Sequence, residues 1–177
     1  FGNKSQHTKE ISETMAMVNA ILKLGSLTSQ SWVEEGSNED PEETVVYVLG
    51  DGKTPYTALC IAMYMPAHWK YVSVDPLMNF DPSTLGDGYA DRIIVERKLS
   101  QEYIIDDRGP SVRNIVIACH SHAPLQEFWD RLSHPKFCVS MPCCKAQWSH
   151  LTDTPLCEYE DYEVFSPKRL VKLYHSP

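Results

Sequence analysis

Across 177 residues the chain is 42% hydrophobic and 23% charged, enough apolar mass for one globular domain whose core needs no covalent staples. A net charge of −8 excludes broad, non-specific adhesion to nucleic acid or to an anionic membrane surface. No apolar run reaches the ~18 residues of a membrane-spanning helix, so no membrane partner is expected.

Taken in chain order, Ile11, Met15, Val18, Ile21, Leu22 and Leu24 recur at helical spacing. They predict an amphipathic helix over residues 5–27, with Gly25 as its stop. Residues 34–43 are acidic and interrupted by Gly36 and Pro41, which reads as a solvated linker. The expected organisation is an N-terminal helix and linker over 1–43 and an α/β unit over 44–177, in one globular domain overall.

The β-branched run at 45–49 predicts a buried strand, and it empties straight into Gly50-Asp51-Gly52. Thr54 is expected to cap the next helix and Pro55 to open it. A second strand over 69–75 ends in an acid, Asp75. Further strands are expected at 92–99, 114–119 and 136–141, with a short helix at 125–132. The segments 158–165 and 169–174 can pair as an antiparallel hairpin across Ser166-Pro167. Alternating strands and helices closed by a hairpin predict an α/β, Rossmann-like fold: a mostly parallel sheet, helices on both faces and an antiparallel edge.

A strand, a glycine turn and a helix N-terminus suit the polar part of a nucleoside-bearing ligand, and an acid ending the next strand suits ribose hydroxyls. Two rival sites fit poorly. Gly52-Lys53-Thr54 supplies the end of a P-loop, but Tyr47 stands where its first glycine belongs. Pro55 stands where a dinucleotide fold wants its third glycine.

With those residues in view, the chain resembles the class I S-adenosylmethionine-dependent methyltransferases. Residues 48–52 resemble the family's first motif, beneath the methionine and ribose part of the cofactor. Asp75 falls at the ribose-binding acid, and residues 114–120 match the fourth strand, whose end faces the transferable methyl. A narrower likeness joins residues 118–125 to Pro142-Cys143-Cys144, similar to a subgroup with a His-containing turn after strand four and Pro-Cys-Cys after strand five. The resemblance implies S-adenosylmethionine as cofactor, held by Gly50, Asp51, Gly52, Asp75 and Cys119. It implies an RNA or protein acceptor, with His120 facing it; read from the residues, either His120 or His122 positions or deprotonates that acceptor and Cys143 lines its pocket, or these side chains only pack and hydrogen-bond at the sheet edge. A second expectation is a degenerate methyltransferase fold kept as a structural subunit, with a protein partner or complex.

Alternatives stay open at several of these positions. Asp51 either meets the cofactor's amino group or caps the turn. Trp148 can stack on a base, core packing being its commoner fate. His120, His122, Cys143 and Cys144 come from strand ends that this fold makes neighbours, but adjacent cysteines rarely face one ion, so no metal site is expected. The six cysteines lie mostly in or beside apolar runs, as free thiols do in a reducing compartment. An intracellular location follows, with cytoplasm, nucleus and organelle left open.

Overall fold

The computed structural model describes residues 4–28, 43–106, 109–144 and 146–177. The acidic stretch at 34–42 lies outside the described residues. Ten regular elements follow in order: α1 (Lys4–Leu27), β1 (Glu43–Leu49), α2 (Tyr56–Tyr64), β2 (Lys70–Val74), β3 (Ile93–Glu96), β4 (Val112–Cys119), α3 (Leu125–Asp130), β5 (Lys136–Met141), β6 (Cys157–Glu160) and β7 (Leu170–Ser176).

The strands form one seven-stranded sheet in the order β3-β2-β1-β4-β5-β7-β6. The first five pair in parallel, and β7 runs antiparallel to both β5 and β6. The fold is therefore α/β and Rossmann-like, with strand order reversing between β1 and β4. In open α/β sheets the crevice above such a reversal, at the carboxyl ends of the strands, is where ligands bind.

Burial explains the unbroken apolar run of β1, because side chains alternate between two cores. Val46 and Val48 join one core with Ile115, Ile117, Phe137 and the helices α1 and α2. Val45, Tyr47 and Leu49 join the other with Val116, Cys138 and the Phe128 and Trp129 of α3.

Several boundaries differ from the sequence expectation. Helix α1 runs past Gly25 to Leu27. Its buried stripe is Glu13, Met17, Ile21 and Leu24 with Ala16 and Ala20, whereas Ile11 and Leu22 are exposed. Val18, Ile21 and Leu24 are buried as their spacing predicts, and the same face also takes Glu13, Met17 and the small Ala16 and Ala20. Strand β6 stops at Glu160, and residues 161–169 make a longer connection than a tight hairpin turn. There the Asp161 N–H donates to Arg169 C=O, and Asp161 turns back to bind the Glu163 N–H. Between β2 and β4 the chain carries short 3-10 turns at Pro82–Thr84 and Gly109–Ser111.

Candidate functional site at the strand reversal

Three elements meet above the β1/β4 reversal: the turn after β1, the end of β4, and the N-terminal half of α1. Together they enclose a cleft of about 470 Å³, lined by residues that include Glu10, Glu13, Asp51, Lys53, Cys119 and His120. That volume lies in the ordinary range for small-molecule sites.

The glycine turn is tied to the end of β2. Gly50 N–H donates to Val74 C=O at 2.9 Å, and Gly52 N–H donates to Asp75 Oδ2 at 2.9 Å. Asp75 Oδ1 accepts from Leu77 N–H at 2.7 Å. The Asp75 carboxylate is thus buried against its own backbone, and it is not among the residues lining the cleft. Gly50 and Gly52 both have positive φ, 75° and 83°. A Cβ on Gly50 would lie 2.7 Å from Ser121 Oγ, whereas one on Gly52 would meet nothing within 4 Å.

Asp51 resolves one of the open alternatives. Its Oδ1 accepts from Thr57 N–H at 2.8 Å, and its Oδ2 accepts from Ala58 N–H at 3.2 Å and from Ser73 Oγ–H at 2.9 Å. Asp51, not Thr54, caps α2; Pro55 sits just before the helix, which begins at Tyr56. Burial pushes the Asp51 carboxyl above the usual carboxylate range, partly offset by these donors. The two first-turn N–H groups that a phosphate would use are already taken.

Glu13 was missed by sequence reasoning. It is buried within α1, and its Oε1 lies 2.7 Å from His120 Nε2 and 3.5 Å from Lys9 Nζ. The signal was present: Glu13 lies four residues before Met17 and eight before Ile21, so a carboxylate occupies the register of a buried stripe. His120 has φ 51°, its N–H donates to Met141 C=O at 2.8 Å, and its Nδ1 is buried without a partner among the described residues. A neutral His120 that donates from Nε2 to Glu13 keeps its lone pair on Nδ1.

The strand ends sort the remaining candidates. Cys119 lines the cleft, and burial together with the Glu13 and Asp51 charges pushes its thiol up to about 12. His122 and Cys143 lie 3.1 Å apart outside the cleft lining, with Cys144 beside them. The four His and Cys residues of the two strand ends therefore divide, His120 turning to Glu13 and His122 to the cysteines. Trp148 is 60% exposed, in a short 3-10 turn after β5, so the core-packing expectation fails for it; among the described residues Trp69 and Trp129 are the buried tryptophans. All six cysteines are free thiols, and no helix among the described residues is long and apolar enough to cross a membrane.

Comparison with known proteins gives fold likeness only. The chain matches no protein-family model, and no curated protein matches it. Among solved structures, it is similar to a cyclopropane-fatty-acyl-phospholipid synthase-like protein from Lactobacillus casei, with 13% identity and a TM-score of 0.49 over 79% of this chain and 53% of that one. It is also similar to a coclaurine N-methyltransferase bound to N-methylheliamine and SAH, with 11% identity and a TM-score of 0.40 over 72% and 36%. A third is the glycopeptide N-methyltransferase MtfA, with 11% identity and a TM-score of 0.40 over 87% and 67%. The chain thus spans about half of the first of these proteins and about a third of the second. At such identities the likeness concerns the course of the chain and says nothing of chemistry.

Proposed function

We propose that this chain binds S-adenosylmethionine in the cleft above the β1/β4 reversal and transfers its methyl group to an RNA or protein acceptor. The observation that carries the reading is the charge of the lining. Glu10, Glu13 and Asp51 line the cleft together with Lys53, the one lysine or arginine among the described lining residues, while Lys9 pairs with Glu13 from outside the lining. Carboxylates repel a pyrophosphate and attract a sulfonium and an ammonium, while Lys53 suits the single carboxylate of a methionine moiety.

The residues present fit that ligand. The open space beside Gly52 lets backbone approach a bound molecule, and the His120 ring lines the cleft with its Nδ1 buried and unpartnered among the described residues. Gly50, Asp51 and Gly52 shape the cofactor turn. Asp75 lies behind that turn and holds it in place for the ligand rather than touching the ligand itself. Cys119, protonated, contributes a small neutral wall beside the methyl.

When bound, the cofactor supplies a methyl group activated by a positively charged sulfur. The chain supplies alignment and a proton store. Glu13 Oε1 orients the resting His120 ring through Nε2; for Nδ1 to take the acceptor's proton the ring must leave that contact and turn toward the cleft. The exposed Trp148 lies on the acceptor side in this reading, whereas His122 and Cys143, outside the cleft lining, take no part in it.

One observation favours a second reading, a binding or scaffold fold without turnover: Asp51 and Asp75 are already satisfied by their own backbone. Calorimetric titration with S-adenosylmethionine, with ATP and NAD as controls, tests both. Micromolar binding of S-adenosylmethionine alone, lost in Asp75→Ala and kept with impaired transfer in Glu13→Gln, is the expected result. Preference for ATP or NAD overturns the cofactor assignment, and no binding by the folded protein selects the scaffold reading.

A further inference from the structure

The ends of β4 and β5 assemble a second group of side chains that the cleft does not use. The two strands pair in parallel with Cys119 opposite Met141, so both chains leave the sheet at the same edge. The left-handed turn at His120 brings His122 over the exit of β5, where Cys143 and Cys144 follow Pro142. His122 Nε2 lies 3.1 Å from Cys143 Sγ, and the three ligand atoms of His122, Cys143 and Cys144 all fall within 4.8 Å of one another.

We propose that His122 Nε2, Cys143 Sγ and Cys144 Sγ bind one zinc-class divalent cation, with a fourth position open to water or an exogenous ligand. This goes beyond the cofactor reading and does not depend on it. Tetrahedral zinc, with bonds of ~2.3 Å to sulfur and ~2.0 Å to nitrogen, holds its ligand atoms roughly 3.6 Å apart, so small side-chain rotations close the site. Two thiolates and one neutral imidazole are a soft, charge-balancing set for Zn²⁺ and a poor one for Mg²⁺ or Ca²⁺. The adjacent cysteines follow the end of the strand at Met141, and their sulfurs and His122 Nε2 lie within 4.8 Å of one another.

A supporting shell is already built. Ser149 Oγ lies 3.6 Å from Cys144 Sγ, the Cys144 carbonyl accepts from His150 Nε2 at 2.8 Å, and Cys143 Sγ points at the His120 carbonyl at 3.6 Å. Such outer contacts orient metal ligands. The other candidate group, Glu13, Cys119 and His120, is unsuited. Its thiol stays protonated and its imidazole is committed to Glu13.

Titration of the reduced, metal-free protein with Co²⁺ and then Zn²⁺ tests the site. One equivalent of Co²⁺ should give thiolate-to-cobalt charge transfer and the intense visible bands of tetrahedral coordination, and Zn²⁺ should bleach them. Both signals should disappear in His122→Ala and Cys144→Ser and persist in Cys119→Ser. A silent titration, a signal that survives Cys144→Ser, or one lost in Cys119→Ser overturns the assignment. Should a variant fail to fold, alkylation of the wild-type chain decides: Zn²⁺ should shield Cys143 and Cys144 alone, and equal labelling with and without Zn²⁺ overturns the proposal. Because S-adenosylmethionine binding is read separately by calorimetry, failure of either assignment is visible without the other.

Discussion

Cys119 ends β4 at the wall of the cleft, where burial first and then the charges of Glu13 and Asp51 hold its thiol protonated, up to about 12. Two consequences follow at this residue. Because the thiolate is the reactive form, iodoacetamide at mildly alkaline pH should leave Cys119 and the fully buried Cys138 unlabelled in the folded protein, as peptide mapping would show. The same shift has a sign for stability. Between a thiol's ordinary pKa and about 12, the unfolded chain has lost a proton that the folded chain keeps. Stability therefore falls as pH rises through that window. Urea midpoints of Cys119→Ala should decline less steeply with alkaline pH than those of the wild type; parallel declines would mean that the thiol titrates alike in both states. Sequence alone placed Cys119 at a strand end. Its neighbour Glu13, 106 residues earlier in the chain, is what sets the charge around it.

At the scale of the element, the turn after β1 shows two glycines held for different reasons. Gly52 needs only its positive φ, because a side chain there meets open space. Gly50 needs both the φ and the absence of a Cβ, since Ser121 from the β4 turn packs directly against it. Gly52→Ala should cost about 1–2 kcal/mol of backbone strain. Gly50→Ala should cost clearly more, with chemical denaturation as the measure, and equal costs would show that Ser121 yields freely. The same turn explains a misplaced cap. Thr54 has the residue type of an N-cap, but Asp51 reaches the Thr57 and Ala58 N–H groups first because β1 delivers it beside the helix axis and Ser73 steadies it. Local sequence rules assign caps by adjacency, and here the strand-to-helix turn overrides adjacency.

For the whole molecule, α1 is a structural wall of the domain and one side of the cleft. Met17, Ile21 and Leu24 are fully buried against the same core as β1, β4, β5 and α2. Ile21→Ala should therefore lower global stability by about 2–5 kcal/mol, as core truncations do. The neighbouring Leu22→Ala, on the exposed side of α1, should stay within ~0.5 kcal/mol. A urea transition of the sheet that ignores Ile21→Ala would instead make residues 4–28 an appendage. The wall also carries chemistry, since Glu13 and Glu10 project from it into the cleft. A ligand there would be held between the turn after β1 and the helix that precedes that strand.

The sequence by itself determined the order of elements, the buried parallel strands, the closing antiparallel pair and the glycine turn, because β-branched runs and turn formers are local signals. Strand β5 at Lys136–Met141 matches its expected bounds, and the central strands β1 and β4 are buried as their unbroken apolar runs require. Only the tertiary structure decided that Ile11 and Leu22 of α1 stay exposed, that Glu13 meets His120, that Asp51 and Asp75 bind their own backbone, and that His122 leaves His120 to join Cys143 and Cys144. Each of these depends on how closely distant segments approach. That distance is set by packing of the whole sheet and its helices, and no local pattern of residues encodes it.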